Sequence, residues 1–526
     1  GHVRSNVWVE QDVYFQMQFS RPMTRITALP LAATEKGQRM LVAFDLKKGE
    51  QLEVKIALSS ATIDGACRNM QAELPGWDFE ATRQKAEDVW SSYLDRIEVE
   101  GSDVEKTNFY TCFYHALIQP NNIADVDGAY RDANGNLAKA EDGTFYSTFS
   151  TWDTYRAAHP LMTLIHTDRL PDMAETFIHI YREQGKLPVW HLMGCETNCM
   201  VGNPAIPVLA DMVLKGHVAD REGAYEAMRP SALADERGLD LLKQYGYLPC
   251  DKEESRETVA KGLEYALADW CVAKVARLLG KKADARYFAQ RALAYRKYFD
   301  PHTTFMRGVD SKGQFRVPFN PFSADHRMDD YTEGNAWQYT WLVPHDVHGL
   351  VKLFGGERAF TTKLDSLFVV TGDLGANASP DITGLIGQYA HGNEPSHHVA
   401  YFYALAGQPR RTAELVREIF DTQYLPKADG LCGNDDCGQM SAWYMLSAMG
   451  FYPVDPVSAR YVFGAPQMKH FTLHLDNAKT FEIEARGLSK ENKYVKKILL
   501  NGKPYKKNYI EHADIVRGGK LTYIMG

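Results

Sequence analysis

The first 60 residues alternate between apolar and polar positions, which is the pattern of antiparallel strands. One such run extends from Val7 to Phe19, a second from Arg39 to Asp45 and a third from Leu52 to Leu58. Period-two runs separated by polar turns predict strands. About four strands fit into this length. They are too few to close a β-sandwich, so we expect further strands upstream of this sequence.

From residue 78 onward the apolar positions recur at helical spacing. Phe79, Val89 and Leu94 stand on one face of a densely charged segment, 78–104, which predicts a helical linker. Strand patterns return only after Pro456, in four short runs. We expect these runs to form a small β unit at the end of the chain.

Residues 105–455 carry about a dozen predicted helices, among them 335–354, 393–407 and 438–449. No strands are expected between them, which excludes a doubly wound parallel sheet. The pairing of long and short helices favours a ring of helical hairpins, an (α/α)6 toroid, while other helical packings remain open. The resulting division is part of a β-sandwich (1–77), a helical linker (78–104), a helical domain (105–455) and a β-rich unit (456–526).

Composition narrows the possible functions. The 526 residues are 45% hydrophobic and 24% charged, as in ordinary globular proteins. A net charge of −8 without a long basic run argues against a nucleic-acid partner. No apolar run of about 18 residues exists, so no transmembrane segment is predicted. The chain begins without a recognisable signal peptide, which leaves its location open, and nothing indicates an oligomeric state.

Asp435 and Asp436 stand side by side between Gly433 and Gly438, just before a predicted helix. Neighbouring carboxylates repel each other when both are ionised, so the pair needs a proton, a cation or polar donors. On local grounds, a turn whose aspartates cap the following helix explains the pair. The alternative is a functional site held on a rigid element.

Glu333 precedes an aromatic helix start, with Trp337 one turn further on. A carboxyl group among aromatic rings loses hydration, which raises its pKa and allows it to stay protonated near neutral pH. A general acid has this requirement. The alternative is a glutamate that interacts with the helix dipole.

Three further residues share one predicted helix start: Trp152, Asp153 and Arg156. Asp153 and Arg156 lie on the same face. They fit either a cap with an ion pair or a clamp on vicinal hydroxyl groups beside a tryptophan platform. Glu196 lies in another loop, where it fits either a solvated carboxylate or a partner for a sugar hydroxyl group.

The loop from His391 to His398 includes Asn393 and Glu394, whose side-chain oxygens suit a hard cation such as Ca²⁺. A capped helix is the alternative. Adjacent histidines in a helix point apart, so we do not expect His397 and His398 to hold one zinc ion. An acid candidate together with a carboxylate pair on another loop is the layout of glycoside hydrolysis.

Five stretches, in collinear order, resemble glycoside hydrolase family 92, the calcium-dependent exo-acting α-mannosidases. They are STWDTYRAAHPL (150–161), GKLPVW with CETNCMVG (185–202), YTEGNAWQYTWLVPHD (331–346), HGNEPSHHVAYFYALAG (391–407) and GNDDCGQMSAWYMLSAMGFYPV (433–454).

The resemblance implies an N-terminal β-sandwich, a helical linker and an (α/α)6 catalytic domain. It also implies release of terminal α-linked mannose from oligosaccharides or glycoprotein glycans, with inversion and with help from Ca²⁺. Export to the periplasm or the extracellular space is a further expectation from the family.

The resemblance also assigns roles to individual residues. Glu333 matches the general acid and Asp436 the general base, with Asp435 as a supporting carboxylate. Where relatives often carry a second acidic residue, this chain has Asn434. The matched calcium ligands are Asn393, Glu394 and Asp436. The matched substrate contacts are Trp152, Asp153, Arg156, Glu196 and His391.

Linkage specificity stays open. Some α-1,2-specific relatives carry Glu directly after the matched histidine, where this chain has Gly392. The alternative functions are another (α/α)6 glycosidase, a phosphorylase with a cationic phosphate pocket, or an inactive carbohydrate-binding homologue. Loss of Glu333 or Asp436 would favour the last of these, and both residues are present.

Overall fold

The computed structural model describes residues 1–6, 8–34, 36–141 and 143–526. Val7, where the first predicted strand begins, lies outside the described residues. The helices are α1 (Ile63–Glu73), α2 (Phe79–Leu94), α3 (Asp103–Ala116), α4 (Thr151–Thr154), α5 (Ala158–Ile165), α6 (Leu170–Gln184), α7 (Ala205–Lys215), α8 (Arg221–Leu233), α9 (Leu239–Tyr245), α10 (Thr258–Leu278), α11 (Lys282–Arg291), α12 (Ala336–Tyr339), α13 (Val347–Leu353), α14 (Glu357–Leu367), α15 (Phe402–Leu405), α16 (Pro409–Gln423), α17 (Gln439–Ala448) and α18 (His512–Val516).

Strands occur throughout the chain, and many of them are two or three residues long. They are β1 (His2–Ser5), β2 (Gln11–Phe19), β3 (Arg25–Leu29), β4 (Arg39–Ala43), β5 (Val54–Ser59), β6 (Ile97–Glu100), β7 (Asn121–Asn122), β8 (Ala129–Arg131), β9 (Leu137–Lys139), β10 (Tyr146–Ser147), β11 (His191–Leu192), β12 (Cys195–Glu196), β13 (Phe299–Asp300), β14 (Phe305–Met306), β15 (Leu385–Ile386), β16 (Tyr389–Ala390), β17 (Phe451–Tyr452), β18 (Arg460–Phe463), β19 (His470–His474), β20 (Thr480–Arg486), β21 (Val495–Leu500), β22 (Lys503–Tyr505), β23 (Tyr509–Glu511) and β24 (Gly519–Met525).

The chain divides into two compact units. The first consists of Gly1–Tyr93, Asn122–Phe145 and Met193–Cys195. The second, which is rich in helices, consists of Leu94–Asn121, Tyr146–Leu192 and Glu196–Gly526. Mixed helix and strand content is therefore a property of the whole chain. Among the described residues, no helix combines the length and the apolar content needed to cross a lipid bilayer.

In the first unit, β1, β2 and β5 form an antiparallel sheet, and α1 packs against β2 and β5. The two faces of β5 differ. Ala57 and Ser59 are buried, whereas Val54, Ile56 and Leu58 on the other face are between 47% and 59% exposed. The strand predicted from the period-two pattern is therefore present, and one of its faces exposes apolar side chains.

The core of the second unit is built around α10, in which almost every residue from 258 to 276 is buried. Neighbouring elements surround this helix, which is mainly apolar and also buries Lys261, Glu264 and Asp269. A six-stranded sheet in the order β22-β21-β24-β20-β19-β6 completes this unit. The four terminal strand runs predicted from the sequence are confirmed by β19, β20, β21 and β24. β6 adds residues from the end of the predicted linker.

Two of the predicted helices named above, 335–354 and 393–407, are not continuous in the structure. The predicted helix 335–354 is two short helices, α12 and α13. Pro344 lies between them, where its ring disfavours helical backbone at the preceding residue. Asp346 then caps α13, because its side chain accepts a hydrogen bond from the Gly349 amide at 2.9 Å.

The predicted helix 393–407 is instead two 3₁₀ turns, Glu394–Ser396 and Val399–Tyr401, followed by the short α15. The ring of His397 bonds to the carbonyl oxygen of His391, six residues back, and the ring of His398 bonds to that of Trp341, 57 residues back. These tertiary bonds override the helical period of the sequence. The expectation of no strands within 105–455 is also wrong, because two-residue pairs such as β13–β14 are too short for a sequence pattern to reveal.

Candidate functional site

Three carboxylates from distant parts of the sequence converge in the second unit. Asp153 lies in α4, Glu394 opens a 3₁₀ turn, and Asp436 lies in the segment before α17. One oxygen atom from each lies within 4.8 Å of the other two. We call Asp153, Glu394 and Asp436 the acidic cluster.

The acidic cluster is costly to bury. Neither carboxylate oxygen of Glu394 has a hydrogen-bond partner among the residues that the structure describes. Burial and the nearby Asp436 raise the pKa of Glu394 well above its usual range. Burial and Asp436 likewise raise the pKa of Asp153, although the Ser150 hydroxyl group donates a hydrogen bond to it. Both shifts reflect like charges in a poorly hydrated space.

The donor set of the acidic cluster fits a divalent cation. Hard cations such as Ca²⁺ bind carboxylate oxygens from several residues. The two unpartnered oxygens of Glu394 are the kind of buried acceptor that a cation satisfies. The acidic cluster is therefore a possible metal-binding site.

Glu333 lies just before α12, with a left-handed backbone φ of +49°. Its pKa is raised to about 7, first by burial and then by the negative charge of Asp381. The Asn393 side-chain amide donates to the Glu333 carbonyl oxygen at 2.8 Å and to its carboxylate at 3.4 Å. The predicted desolvation of Glu333 is thus present, and Glu333 can be protonated near neutral pH.

Asn393 joins Glu333 to the acidic cluster. While its Nδ2 donates to Glu333, its Oδ1 accepts from the backbone amide of Glu394 at 3.2 Å. Asn393 is 5% exposed. Its side chain therefore holds two loops together, since Glu333 and Glu394 come from separate stretches.

The adjacent Asp435 and Asp436 have opposite surroundings. The Asp435 carboxylate accepts from the Gly438 amide at 2.9 Å, the Ser441 amide at 3.1 Å and the Ser441 hydroxyl group at 2.5 Å. Asp435 thus caps the start of α17. Asp436 has a left-handed φ of +48°, and burial raises its pKa to about 6; the contact with Glu394 lowers this pKa, while Asp435 and Asp381 add to the rise.

Arg156 lies in a fully buried pair. Its Nη2 donates to Glu264 Oε1 at 3.0 Å, and both side chains are 3% exposed. The guanidinium carbon lies 5.1 Å from the centre of the Trp152 ring and 4.4 Å from that of Tyr155. Trp152 itself is 1% exposed. The Nη1 of Arg156 has no hydrogen-bond partner among the described residues.

The Glu196 carboxylate is occupied by its own loop. It accepts from the backbone amides of Val189 at 2.7 Å, Trp190 at 3.1 Å and Asn198 at 2.7 Å. Three amide donors on one carboxylate give this loop its shape.

His391 is fully buried between two tyrosines. Its Nδ1 lies 2.8 Å from the Tyr389 hydroxyl group and its Nε2 2.9 Å from the Tyr424 hydroxyl group. The Tyr424 hydroxyl group donates to the Met440 carbonyl oxygen, so we infer that it accepts from Nε2. Burial lowers the pKa of His391 far below its usual range, so the ring is neutral.

Sequence reasoning missed Glu264 and Asp381, which are both close to these groups. Glu264 lies in α10, where almost every residue from 258 to 276 is buried, and an acidic residue inside a helix rich in apolar residues was the available signal. Asp381 raises the pKa of both Glu333 and Asp436. Its carboxylate also accepts from the Ser379 hydroxyl group at 2.8 Å. It lies in a Gly- and Ser-rich loop without any motif that singles it out.

Comparison with known proteins identifies the family. The sequence profile described as the glycosyl hydrolase family 92 catalytic domain matches residues 65–526. A family 92 α-mannosidase from Bacteroides thetaiotaomicron, solved in complex with mannoimidazole, is 40% identical, with a TM-score of 0.93. That match covers 99% of this chain and 71% of the other.

Two further relatives agree with this assignment. A family 92 inverting mannosidase, also from Bacteroides thetaiotaomicron, is 33% identical with a TM-score of 0.88, and the match covers 99% of this chain and 73% of the other. A fungal protein from Arthroderma benhamiae, described as an uncharacterized secreted glycosidase, is 26% identical over 90% of this chain. This chain spans 61% of the fungal protein's length. The prediction from five sequence motifs is confirmed: the chain belongs to glycosyl hydrolase family 92.

Proposed function

We propose that this chain carries the activity of an exo-acting α-mannosidase that removes terminal α-linked mannose from glycans in a single, inverting displacement. The observation that carries the proposal is the joint presence of a carboxyl group with a pKa of about 7 and a buried acidic cluster, joined by one asparagine. Family membership and two related mannosidases support the substrate class.

Glu333 acts as the general acid in this proposal. Because its pKa of about 7 lies near neutral pH, a large fraction of the carboxyl groups carries a proton. That proton passes to the glycosidic oxygen as the bond to the leaving sugar breaks. The Asn393 amide orients Glu333, since it donates to both its backbone and its side chain.

Asp436 acts as the general base. It takes a proton from the water that attacks the anomeric carbon on the face opposite the leaving group, which inverts the configuration. Asp435 supports it indirectly, because its three hydrogen bonds fix the segment from which Asp436 projects. The backbone at Asp436 is left-handed, so its direction depends on that support.

Asp153, Glu394 and Asp436 would hold a Ca²⁺ ion. When bound, the ion supplies orientation and charge stabilisation to hydroxyl groups of the sugar ring. The geometry supports Asp153 as the third ligand instead of Asn393, whose side chain is engaged by Glu333 and Glu394. Neutralisation of three close carboxylates explains why their burial is tolerated.

Arg156 donates a hydrogen bond to the sugar from its unpartnered Nη1 in this proposal. Trp152, Glu196 and His391 shape the surroundings in this proposal. Trp152 lies against the guanidinium group, and the polar atoms of Glu196 and His391 are bonded to nearby groups of the chain.

We further propose the finer architecture expected from the sequence. Residues 105–455 form an (α/α)6 toroid, 1–77 belong to a β-sandwich, 78–104 link them, and 456–526 form a β-rich unit. The open apolar face of β5 supports a second β layer in the sandwich, since such a face is normally covered. The secreted fungal relative supports a periplasmic or extracellular location.

The test is to supply the methyl α-glycosides of α-1,2-, α-1,3-, α-1,4- and α-1,6-linked mannobioses, whose leaving group is methyl α-mannoside, and to follow by proton NMR the anomer of free mannose that appears first. Release of β-mannose from at least one of them is expected, and Glu333→Gln should abolish it. α-Mannose as the first product would refute inversion. No release from any of the four would refute the proposed activity, and the substrate preference would identify the linkage.

A further inference from the structure

The Arg156–Glu264 pair places a buried positive charge next to the acidic cluster. The charges of Glu394 and Asp153 both act on the guanidinium group, which therefore lies near two of the three cluster carboxylates. Asp153 is only three residues away, at the start of the same local segment. At short range in a poorly hydrated interior, such charges interact strongly.

A free guanidinium group at this position would act against a metal ion. It would repel the cation, and it would offer its donors to the same carboxylate oxygens. The unpartnered Nη1 gives Arg156 the capacity to make such bonds. Glu264 prevents both effects, because it offsets the charge and holds Nη2 at 3.0 Å.

Other groups reinforce Glu264 in this position. The Tyr155 hydroxyl group donates to Glu264 Oε2 at 3.2 Å. The backbone at Gly202 is so close that a β-carbon there would lie 2.7 Å from the Glu264 β-carbon. Glu264 is therefore fixed by packing as well as by charge, on the buried helix α10.

We propose that Glu264 is a positioning residue that offsets the charge of Arg156, keeps it from bonding to the acidic cluster and thereby sets the affinity of the cluster for a divalent cation. This inference rests on the cation site of the proposed function. It concerns a residue that is not itself a ligand.

The experiment measures Ca²⁺ binding directly, by titration calorimetry of the chelator-stripped protein. In Glu264→Gln the side chain keeps its shape and loses its charge, so the dissociation constant for Ca²⁺ should rise by about tenfold or more. Asp269→Asn is the matched control. Asp269 lies on the same helix α10, is equally buried and pairs with Arg291 at 2.9 Å, but it is not part of the acidic cluster. Its substitution should leave the dissociation constant unchanged.

A double-variant cycle separates the electrostatic role from a general loss of structure. Arg156→Gln alone leaves Glu264 charged and should tighten Ca²⁺ binding. Arg156→Gln combined with Glu264→Gln removes both charges and should return the dissociation constant to within about threefold of the original value. If Glu264→Gln does not fold, Arg156→Gln still tests the inference through the opposite sign.

The outcomes distinguish this inference from the proposed function. If the unaltered chain does not bind Ca²⁺, the proposed cation site is refuted and this inference with it. If the unaltered chain binds Ca²⁺ and Glu264→Gln binds it equally well, only this inference is refuted. Equal weakening in Glu264→Gln and Asp269→Asn, or no tightening in Arg156→Gln, would also refute it.

Discussion

Buried carboxylates of the helix-rich unit fall into two groups that differ in what surrounds them. Asp269 meets Arg291 at 2.9 Å, Asp211 meets Lys215 at 2.7 Å and Asp300 meets Arg307 at 2.6 Å. In the acidic cluster, by contrast, Glu394 has no hydrogen-bond partner among the described residues, and oxygen atoms of two further carboxylates lie within 4.8 Å of one of its own.

This difference distinguishes carboxylates that stabilise the fold from carboxylates that are candidates for binding a ligand. A buried ion pair is complete within the chain, so removing one partner leaves a penalty. A buried group of like charges is incomplete, and only a proton or an external cation makes it tolerable. The unmatched carboxylates, more than buried carboxylates in general, therefore indicate where a ligand binds.

The largest effect on activity is expected at Glu333, which Asn393 joins to the acidic cluster. Glu333→Gln should lower kcat on a mannobiose by about 10²–10⁴-fold, the range for loss of a general acid. A dinitrophenyl mannoside has a leaving group that needs little protonation, so its hydrolysis should fall much less. Steady-state kinetics on both substrates provides the measurement, and an equal loss on both would contradict the acid role.

Breaking a buried ion pair should have the next largest effect, a loss of stability. Arg291→Met leaves Asp269 charged and buried, which costs about 3–5 kcal/mol of unfolding free energy. Urea denaturation measures this loss. Adding Asp269→Asn to the same chain should recover most of the lost stability, and a single-variant loss below about 1 kcal/mol would show that the pair is not a source of stability.

Ca²⁺ should stabilise the unmatched group. At a concentration of about 100 times its dissociation constant, an ion that binds only the folded state adds about 2.7 kcal/mol. Denaturation in Ca²⁺ and in EDTA measures the difference. Glu394→Gln should abolish the gain, while Asp269→Asn should preserve it. A gain that persists in Glu394→Gln would locate the ion elsewhere.

Removing a charge from the acidic cluster should raise the free energy of unfolding, whereas removing a carboxylate charge from a buried ion pair should lower it. In EDTA at alkaline pH, where Glu394 loses its proton despite its raised pKa, Glu394→Gln removes one of three close negative charges, so stability should rise by about 1–2 kcal/mol. Asp269→Asn under the same conditions should lower it. If both variants lost a similar amount of stability, the proposed difference between the acidic cluster and the buried ion pairs would be refuted.

The smallest effect is expected at Asp435, whose carboxylate accepts hydrogen bonds from two backbone amides and one hydroxyl group. Asp435→Ala removes the cap of α17 and should cost about 0.5–2 kcal/mol. Thermal unfolding measures the change. Activity should fall much less than in Asp436→Asn, and an equal fall in both variants would give Asp435 a direct role in the reaction.

Local patterns in the sequence were sufficient for some features of the site. The family was predicted from five motifs, and the burial of Glu333 was predicted from the aromatic residues that follow it in the sequence. The capping role of Asp435 was one of the local alternatives for its stretch. Each motif, and each of the other two features, depends on residues that are close together in the sequence.

Other features depend on contacts between distant segments, which spacing cannot reveal. Asp153 was predicted as a substrate contact, and only the fold brings its carboxylate beside Glu394 and Asp436. Glu264 is 108 positions away from Arg156. The 3₁₀ turns after Asn393 likewise depend on bonds to carbonyl oxygens far along the chain, such as that of Trp341.

The left-handed backbone at both Glu333 and Asp436 has a consequence for protein engineering. Each such residue stores about 1–3 kcal/mol of strain that glycine would largely relieve. A selection for heat resistance alone would therefore favour glycine at the two positions where the proposed mechanism places the acid and the base. Efforts to make this enzyme family more robust should hold these two codons constant and seek stability elsewhere in the chain.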